Sequence, residues 1–368
     1  MNAWFRLRHL VLRTPQAAEW PAPAMTELEP EPKPNELSPA SAPVHVLSGS
    51  GLVRVEEGVL VVERPGETAV TRPIDLVSAV HIHGWATIST PAVTALLGQG
   101  SPIVWRSASG YPVGYSSSLH AAGLAVREQQ FAARHNGRGI EIARALVAGK
   151  IVNMAGVIRR RDASGGKAAV RRLGHLARKA RLAPAIADLL GLEGAATAQY
   201  FGMWPAMISE RANNLEFAGR TRRPPRDAVN AALSYSYAVL LGETLAAVVA
   251  AGLEPRLGFL HAARAARPAL ALDLMEPFRP LIADRAVLAG LNTGRFEEDH
   301  FEERDGRVWL SDVGRRLTLV LLEERLAGSV TLADRETPCA WREAVGLQAK
   351  ALAAALAGET PFAAVERP

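Results

Sequence analysis

Short alternating apolar runs as far as residue 119, long helical periodicities beyond it, and a proline- and acid-rich stretch ahead of both predict an α+β protein. The expected layout is a small N-terminal β-rich domain followed by a larger all-helical domain. Its boundaries are a flexible leader over 1–43, the β domain over 44–119, the helical domain over 120–345, and a C-terminal helix and tail over 346–368. A chain of 368 residues can bury two such cores, since single domains mostly run to about 100–200 residues.

Each element has a local reason. Residues 21–43, PAPAMTELEPEPKPNELSPASAP, have almost nothing to bury and read as an extended linker. The runs VHVLS, GLVRVEEG, VLVVER, IDLVSAVHIHG, SPIVWRS and GYPVGYS are bounded by turn residues and read as strands. Among them STPAVTALLGQG fits a short helix, with Ser89 or Thr90 as N-cap and Gly98 or Gly100 at its end. From residue 120 on, GLAVREQQFAARHN, GIEIARALVAGKIVNMAGVIRR and DAVNAALSYSYAVLLGETLAAVVAAG carry helical spacing. No repeat recurs at a period of roughly 20–50 residues.

Composition narrows the class. No apolar run approaches the roughly 20 residues that span a bilayer, so no membrane role is expected. Arginines interrupt MNAWFRLRHLVLRTPQAAEW, which argues against a secretory signal. Cys339 is the one cysteine, which excludes an internal disulfide, a thiolate zinc cluster and a cysteine-ligated iron–sulfur cluster; a cytoplasmic location is expected. The net charge of +5 is mild, but residues 150–190 concentrate ten Lys/Arg, Lys150 among them, against Asp162 and Asp188. That block is either a DNA-tracking surface or a solvated helix face. Arginine outnumbers lysine 37 to 5, as a GC-rich genome would produce.

Several positions carry chemistry. His81 and His83 in VHIHG point to one side of a strand, but no acid or cysteine is near them in sequence, so polar strand-end residues are the simpler reading. Between Pro268 and Pro277 lies ALALDLME, in which Asp273 and Glu276 are the ionisable groups, three apart on one helical face beside Leu270, Leu274 and Phe278. Burying lone carboxylates is costly, so they need a proton, an arginine or a metal cation. His261, after the turn-rich GLEPRLGFL, can aim inward. Arg264 and Arg267 lie between it and the acids, so a salt-bridge cluster and a metal site both remain open. Glu193 in LLGLEGAATAQYFGMWP is another acid among small and apolar residues. One imidazole with two or three carboxylates is a hard donor set suited to Mg²⁺ or Mn²⁺, and hence to phosphate chemistry.

The segments LEGAATAQYF (192–201), RRPPRDAVNAALSYSYAVL (222–240), GLEPRLGFLH (252–261), LALDLMEPFRPLIAD (270–284) and LNTGRFEEDHF (291–301) resemble, in order and spacing, the CRISPR-associated integrase and endonuclease family of spacer acquisition, the Cas protein numbered one. PIDLVSAVHIHGWATISTPAVTALLGQGSPIVW is similar to that family's β domain. The resemblance runs from about Leu47 to about Arg316. It departs at Ala266 and Ala269, where relatives commonly carry glycine and serine. Some relatives carry a fused iron–sulfur nuclease, which is not expected here.

The resemblance implies a catalytic helical domain with metal ligands Glu193, His261 and Glu276, and with Asp273 as a catalytic neighbour one turn earlier. Asn230 and Tyr235 would support the site, and Arg222, Arg223, Arg226, Arg264 and Arg267, which lie next to the expected site in the sequence, are candidates for DNA phosphate contacts. It implies Mg²⁺ or Mn²⁺ as cofactor and double-stranded DNA, both spacer precursor and repeat array, as substrate. It also implies a homodimer formed through the β domains, and a small partner, the Cas protein numbered two, bridging two dimers. The expected reaction is attack of a DNA 3′-hydroxyl on a phosphodiester of the array, with hydrolysis where water attacks instead. A non-catalytic helical DNA-binding scaffold and a metal-dependent hydrolase of small phosphates are the competing classes.

Overall fold

The computed structural model describes residues 41–47, 51–119, 123–161, 165–212, 215–221, 224–264, 266–333 and 335–367. The leader thus lies almost wholly outside the described residues, as do Arg222 and Arg223.

The strands come first: β1 Ala42–Val46, β2 Leu52–Glu56, β3 Val59–Glu63, β4 Val70–Pro73, β5 Val77–His83, β6 Thr87–Ile88, β7 Ile103–Arg106 and β8 Pro112–Ser116. One helix, α1 Thr90–Gly98, precedes β7, and Ser89 is its N-cap, accepting from Ala92 N. One sheet has the order β1-β5-β7-β8, parallel except for β8; the other has the order β4-β3-β2-β6. Val46, Val53, Leu60, Val80, Ile82, Leu96 and Ile103 form the core that the two sheets share with α1.

The period-two alternation of β5 decides what its other face carries. Val80 and Ile82 enter that shared core, so Ala79, His81 and His83 face the helices. Register places His45 beside His81 and Arg106 beside His83, so the helix-facing side of the sheet gathers three histidines and an arginine.

After the strands come α2 Leu124–Ala133, α3 Arg138–Arg161, α4 Gly166–Leu182, α5 Ile186–Gly202, the short α6 Trp204–Met207, α7 Ala228–Ala250 and α8 Ala269–Met275. A π-helical turn, Arg279–Asp284, leads into α9 Arg285–Asn292. Two short hairpins follow, β9 Phe301–Arg304 with β10 Arg307–Leu310, and β11 Ser329–Val330 with β12 Cys339–Ala340, around α10 Asp312–Ala327 and before α11 Trp341–Ala357.

Three expectations change here. The helical part is not all-helical: Asp305 and Gly306 both take positive φ, the tight turn that an Asp-Gly pair favours, and β9 pairs with β10 across it. The boundary at 346 falls inside α11, which starts at Trp341, where the chain leaves the β11–β12 ladder. And α7 is long and apolar enough to cross a membrane by length and composition, contrary to the reading of the apolar runs. It is instead the core helix: 78% of its apolar window is buried, against α8, α10 and α11. Asp227 caps its start, accepting from Asn230 N at 2.7 Å.

Candidate functional site

The site forms where α3, α5, α7 and α8 meet. Helix α8 is apolar because it is enclosed: Leu270, Leu274 and the following Phe278 are buried. Within it Asp273 is fully buried and its carboxylate accepts four hydrogen bonds. Phe259 N (2.5 Å) and Leu260 N (2.9 Å) donate to Oδ2, and His261 N (2.9 Å) and Nδ1 (2.6 Å) to Oδ1. The acid therefore ties the GFLH loop to α8. Gly258 is required at this junction, because a Cβ there would lie 2.7 Å from Asp273 Oδ2.

The same bond sets the tautomer of His261. With Nδ1–H given to Asp273, Nε2 keeps its lone pair. Asp273 does not line the cavity; it meets the cavity through the His261 ring that it holds.

Glu193, on α5, and Glu276, at the C-terminal end of α8, approach each other through Lys150 of α3. Lys150 Nζ contacts Glu193 Oε1 and lies 2.6 Å from Glu276 Oε2. Thr197 Oγ1 donates to Glu193 Oε1 at 3.0 Å, and Arg279 Nε lies 3.2 Å from Glu276 Oε1. Burial by itself would push Glu276 upward, but Arg279, Lys150 and His261 outweigh it and hold the carboxyl at about 2. Glu193 is likewise lowered, Lys150 overcoming the effects of burial and of Glu276. Both acids are therefore anionic at neutral pH.

These groups line a cavity of 870 Å³ together with His261, Arg220, Arg264, Arg267, Arg279 and Tyr237. The donors fit a hard divalent cation: two ionised carboxylates and an imidazole nitrogen with a free lone pair. Glu276 Oε2 adds to the fit, since it is buried and its contact with Lys150 lacks hydrogen-bond geometry.

Other expected residues fall differently. Asn230 is buried and pins the loop before α7, accepting from Arg220 (2.7 Å) and Thr221 N (2.9 Å), so it acts on the cavity through Arg220. Tyr235 lies on another side of α7, against Gly110 and away from the cavity. Two residues later Tyr237 lines the cavity, as Tyr111 does; it donates to Asp284 at 2.5 Å and lies beneath Arg279 and Arg220. Arg226 is exposed and does not line the cavity. In the basic block, Arg159, Arg160, Arg161, Lys167, Arg171, Arg172, Arg178, Lys179 and Arg181 are exposed, whereas Lys150 is buried in the site. Sequence reasoning missed Lys150, Arg220, Tyr237 and Arg279. A lone lysine inside the apolar GIEIARALVAGKIVNM was the available signal for the first of them.

A second cluster is more closely spaced. Among the described residues, the His/Cys/Asp/Glu trio whose ligand atoms lie within 4.8 Å of one another is His45, His81 and Glu243, not Glu193, His261 and Glu276. Its proton pattern differs from that of a metal site. Arg106 donates to His81 Nδ1 at 2.9 Å, so the neutral ring carries its proton on Nε2, facing Glu243 Oε1 at 2.9 Å. That nitrogen has no lone pair for a metal.

His45 contacts Glu243 at 3.3 Å and Glu323 at 3.4 Å through Nε2, and His83 Nε2 at 3.2 Å through Nδ1. Burial opposes its charge, but the two glutamates outweigh burial and raise it above the ordinary histidine value. Burial and Arg106 lower His81 to about 3 and push His83 down as well. Arg342 pairs with Glu243 at 3.3 Å and Glu323 at 2.7 Å. Arg106 also donates to Ala238 O and Val239 O of α7, and Gly242 leaves the room it needs. This network fastens the sheet to the helices.

Comparison with known proteins follows the same lines. The family described as CRISPR associated protein Cas1 matches residues 44–324. The chain belongs to the Cas1 family. A Thermus thermophilus protein named CRISPR-associated endonuclease Cas1 1 is 37% identical over 87% of this chain and 98% of its own length. A Cas4/Cas1 exonuclease–endonuclease fusion from Geobacter sulfurreducens is 33% identical over 92% of the chain, which spans 62% of that longer protein. Among solved structures, a Cas1 protein from Thermotoga maritima aligns with a TM-score of 0.74 and 25% identity, over 88% of this chain and 99% of that one. A casposase bound to integration product shares the fold, with a TM-score of 0.73 and 20% identity over 87% and 92% of the two chains. The chain is thus a member of a family whose curated relatives are named endonucleases, with the mixed α+β fold of those relatives.

Proposed function

We propose that the protein joins new spacers into a CRISPR repeat array, with Glu193, His261 and Glu276 holding Mg²⁺ or Mn²⁺. The observation that carries this reading is one cavity in which two ionised carboxylates, Glu276 buried and Glu193 half-buried, and an imidazole of fixed tautomer are ringed by Arg220, Arg264, Arg267 and Arg279. A divalent cation held there supplies Lewis acidity toward a phosphodiester and its attacking hydroxyl. The protein's own groups do the rest. Asp273 orients His261, whose Nε2 ligates or accepts a proton. The four arginines suit bidentate contact with phosphate oxygens and counter the charge that grows on phosphorus. One phosphorus–oxygen bond forms to the incoming 3′-oxygen as another breaks, and attack by water in its place gives cleavage.

The exposed basic face of α4 and the end of α3 suits a DNA duplex. Homologous assemblies support the partners. One aligned structure is a Cas6-RT-Cas1–Cas2 complex, with a TM-score of 0.73 over 92% of this chain and 37% of that one, and another is a TtCas1–DNA complex. We assign this chain double-stranded DNA as substrate, a homodimer through the β domains, and Cas2 as the bridge between two dimers.

The test is strand joining by purified protein with Cas2, a labelled pre-spacer and a repeat plasmid. Glu193→Ala, His261→Ala and Glu276→Ala should each lower joining by about 10³-fold or more while the variants stay folded and still bind DNA. Normal joining by all three would eliminate the site. Competition by nucleotides in place of duplex DNA would favour a small-phosphate hydrolase.

A further inference from the structure

Lys150 is a lysine in a chain that otherwise uses arginine, 37 to 5, and it is 3% exposed. An arginine there would grip both acids with a rigid planar fork; a lysine is a point charge on a flexible stem. Its ammonium contacts one oxygen of each carboxylate that the reading above assigns to the cation, Glu193 Oε1 and Glu276 Oε2. Ammonium and divalent cation compete for these oxygens. A cation ligated by them approaches to about 2.0–2.2 Å, which leaves no room for a like-charged Nζ at contact distance. The way out is the adjoining cavity, which Lys150 already lines along with Arg264 and Arg267.

We propose that Lys150 is a displaceable counter-ion: its ammonium holds Glu193 and Glu276 together and is expelled into the cavity when a divalent cation takes its place. The inference rests on the metal-site reading and adds a role for a residue outside the ligand set. Lys150 so placed keeps the acids ionised and preorganised without a cation, and it sets the threshold at which the cation binds. The expelled ammonium then faces the arginine-lined space, where a phosphate would meet it.

The test uses the full chain. Acetylation of amines by a succinimidyl ester, mapped by mass spectrometry with and without Mg²⁺, compares Lys150 with the exposed Lys167, Lys179 and Lys350 of the same molecule. Mg²⁺ should raise labelling of Lys150 about tenfold relative to those three. In parallel, calorimetry with Mn²⁺ should show Lys150→Met binding about tenfold tighter than the native chain, and Glu276→Gln losing most binding. Native protein that binds Mn²⁺, loses it in Glu276→Gln and yet keeps Lys150 protected overturns the displacement while leaving the metal site intact. Native protein that binds no Mn²⁺ overturns both. Should Lys150→Met fail to fold, the labelling of native protein decides alone.

Discussion

Two charge clusters lie on either side of α7, and the more metal-like by spacing is the one whose protons forbid a metal. Around His45, His81 and Glu243 the ligand atoms lie within 4.8 Å, but Arg106 takes the His81 lone pair and Arg342 holds the glutamates. Around Glu193, His261 and Glu276 the atoms are farther apart, yet each opens on an 870 Å³ cavity, and the bond to Asp273 places the lone pair of the neutral His261 ring on Nε2. Direction of hydrogen bonding, more than proximity, separates a fastening from a site.

The comparison can be broken most sharply with matched carboxylate variants. Glu243→Gln removes the anion that His45, His81 and Arg342 share, leaving buried cations uncompensated, and should cost about 3–5 kcal/mol in chemical denaturation. Strand joining per folded molecule should change little. Glu276→Gln should show the opposite weighting, loss of joining with a smaller cost in stability, because Lys150 and Arg279 keep Glu193 nearby and face the open cavity. Equal loss of joining in both variants would unite the two clusters.

A smaller effect is expected from Asp273→Asn, which disturbs the hydrogen bonds that aim His261. Joining should fall about 10–100-fold, with Mn²⁺ affinity falling in step. Unchanged Mn²⁺ affinity in calorimetry would remove Asp273 from the positioning role.

The histidine network makes a pH prediction with two opposite slopes. His45 has a folded-state pKa raised above 6.5, so its stabilisation is full below that value and is lost as pH rises through the raised one. His81, lowered to about 3, and His83, also lowered, contribute stability above 6.5 that is lost as pH falls. Thermal stability should therefore peak close to pH 6.5, and His45→Gln should flatten its alkaline side. A native profile that keeps rising above pH 8 would contradict the assignment.

The smallest effect concerns the basic surface. Changing Arg171, Arg172 and Arg178 to alanine should reduce the slope of log binding constant against log salt by about 0.9 for each phosphate no longer neutralised. An unchanged slope would return α4 to a merely solvated face.

How much of this was legible in the chain depends on the range of the interaction. Strands β1, β2, β3, β5, β7 and β8, the cap Ser89 and the apolar run of α8 follow from neighbours a few residues apart, and they stand where the pattern puts them, whereas β4 and β6 lie outside the runs that read as strands. Asp305-Gly306 carried a local hairpin signal that the helical reading passed over. Tyr235 and Tyr237 show where such signals stop. Both sit on one helix apolar on all sides, so nothing local says which turns toward the cavity; packing against Arg279 and Arg220 selects Tyr237.

By itself, the sequence determined the alternation of β5, the start of α1 at Ser89, and the scarcity of lysine that makes Lys150 conspicuous. Tertiary structure alone decided that Lys150 stands between Glu193, 43 residues on, and Glu276. It also brought Arg106 against α7, 132 residues away, where it fixes the tautomer of His81. The physical reason is common to both. Backbone propensity acts over one helical turn or one strand pair, whereas a buried charge is neutralised by whatever the packing brings to it.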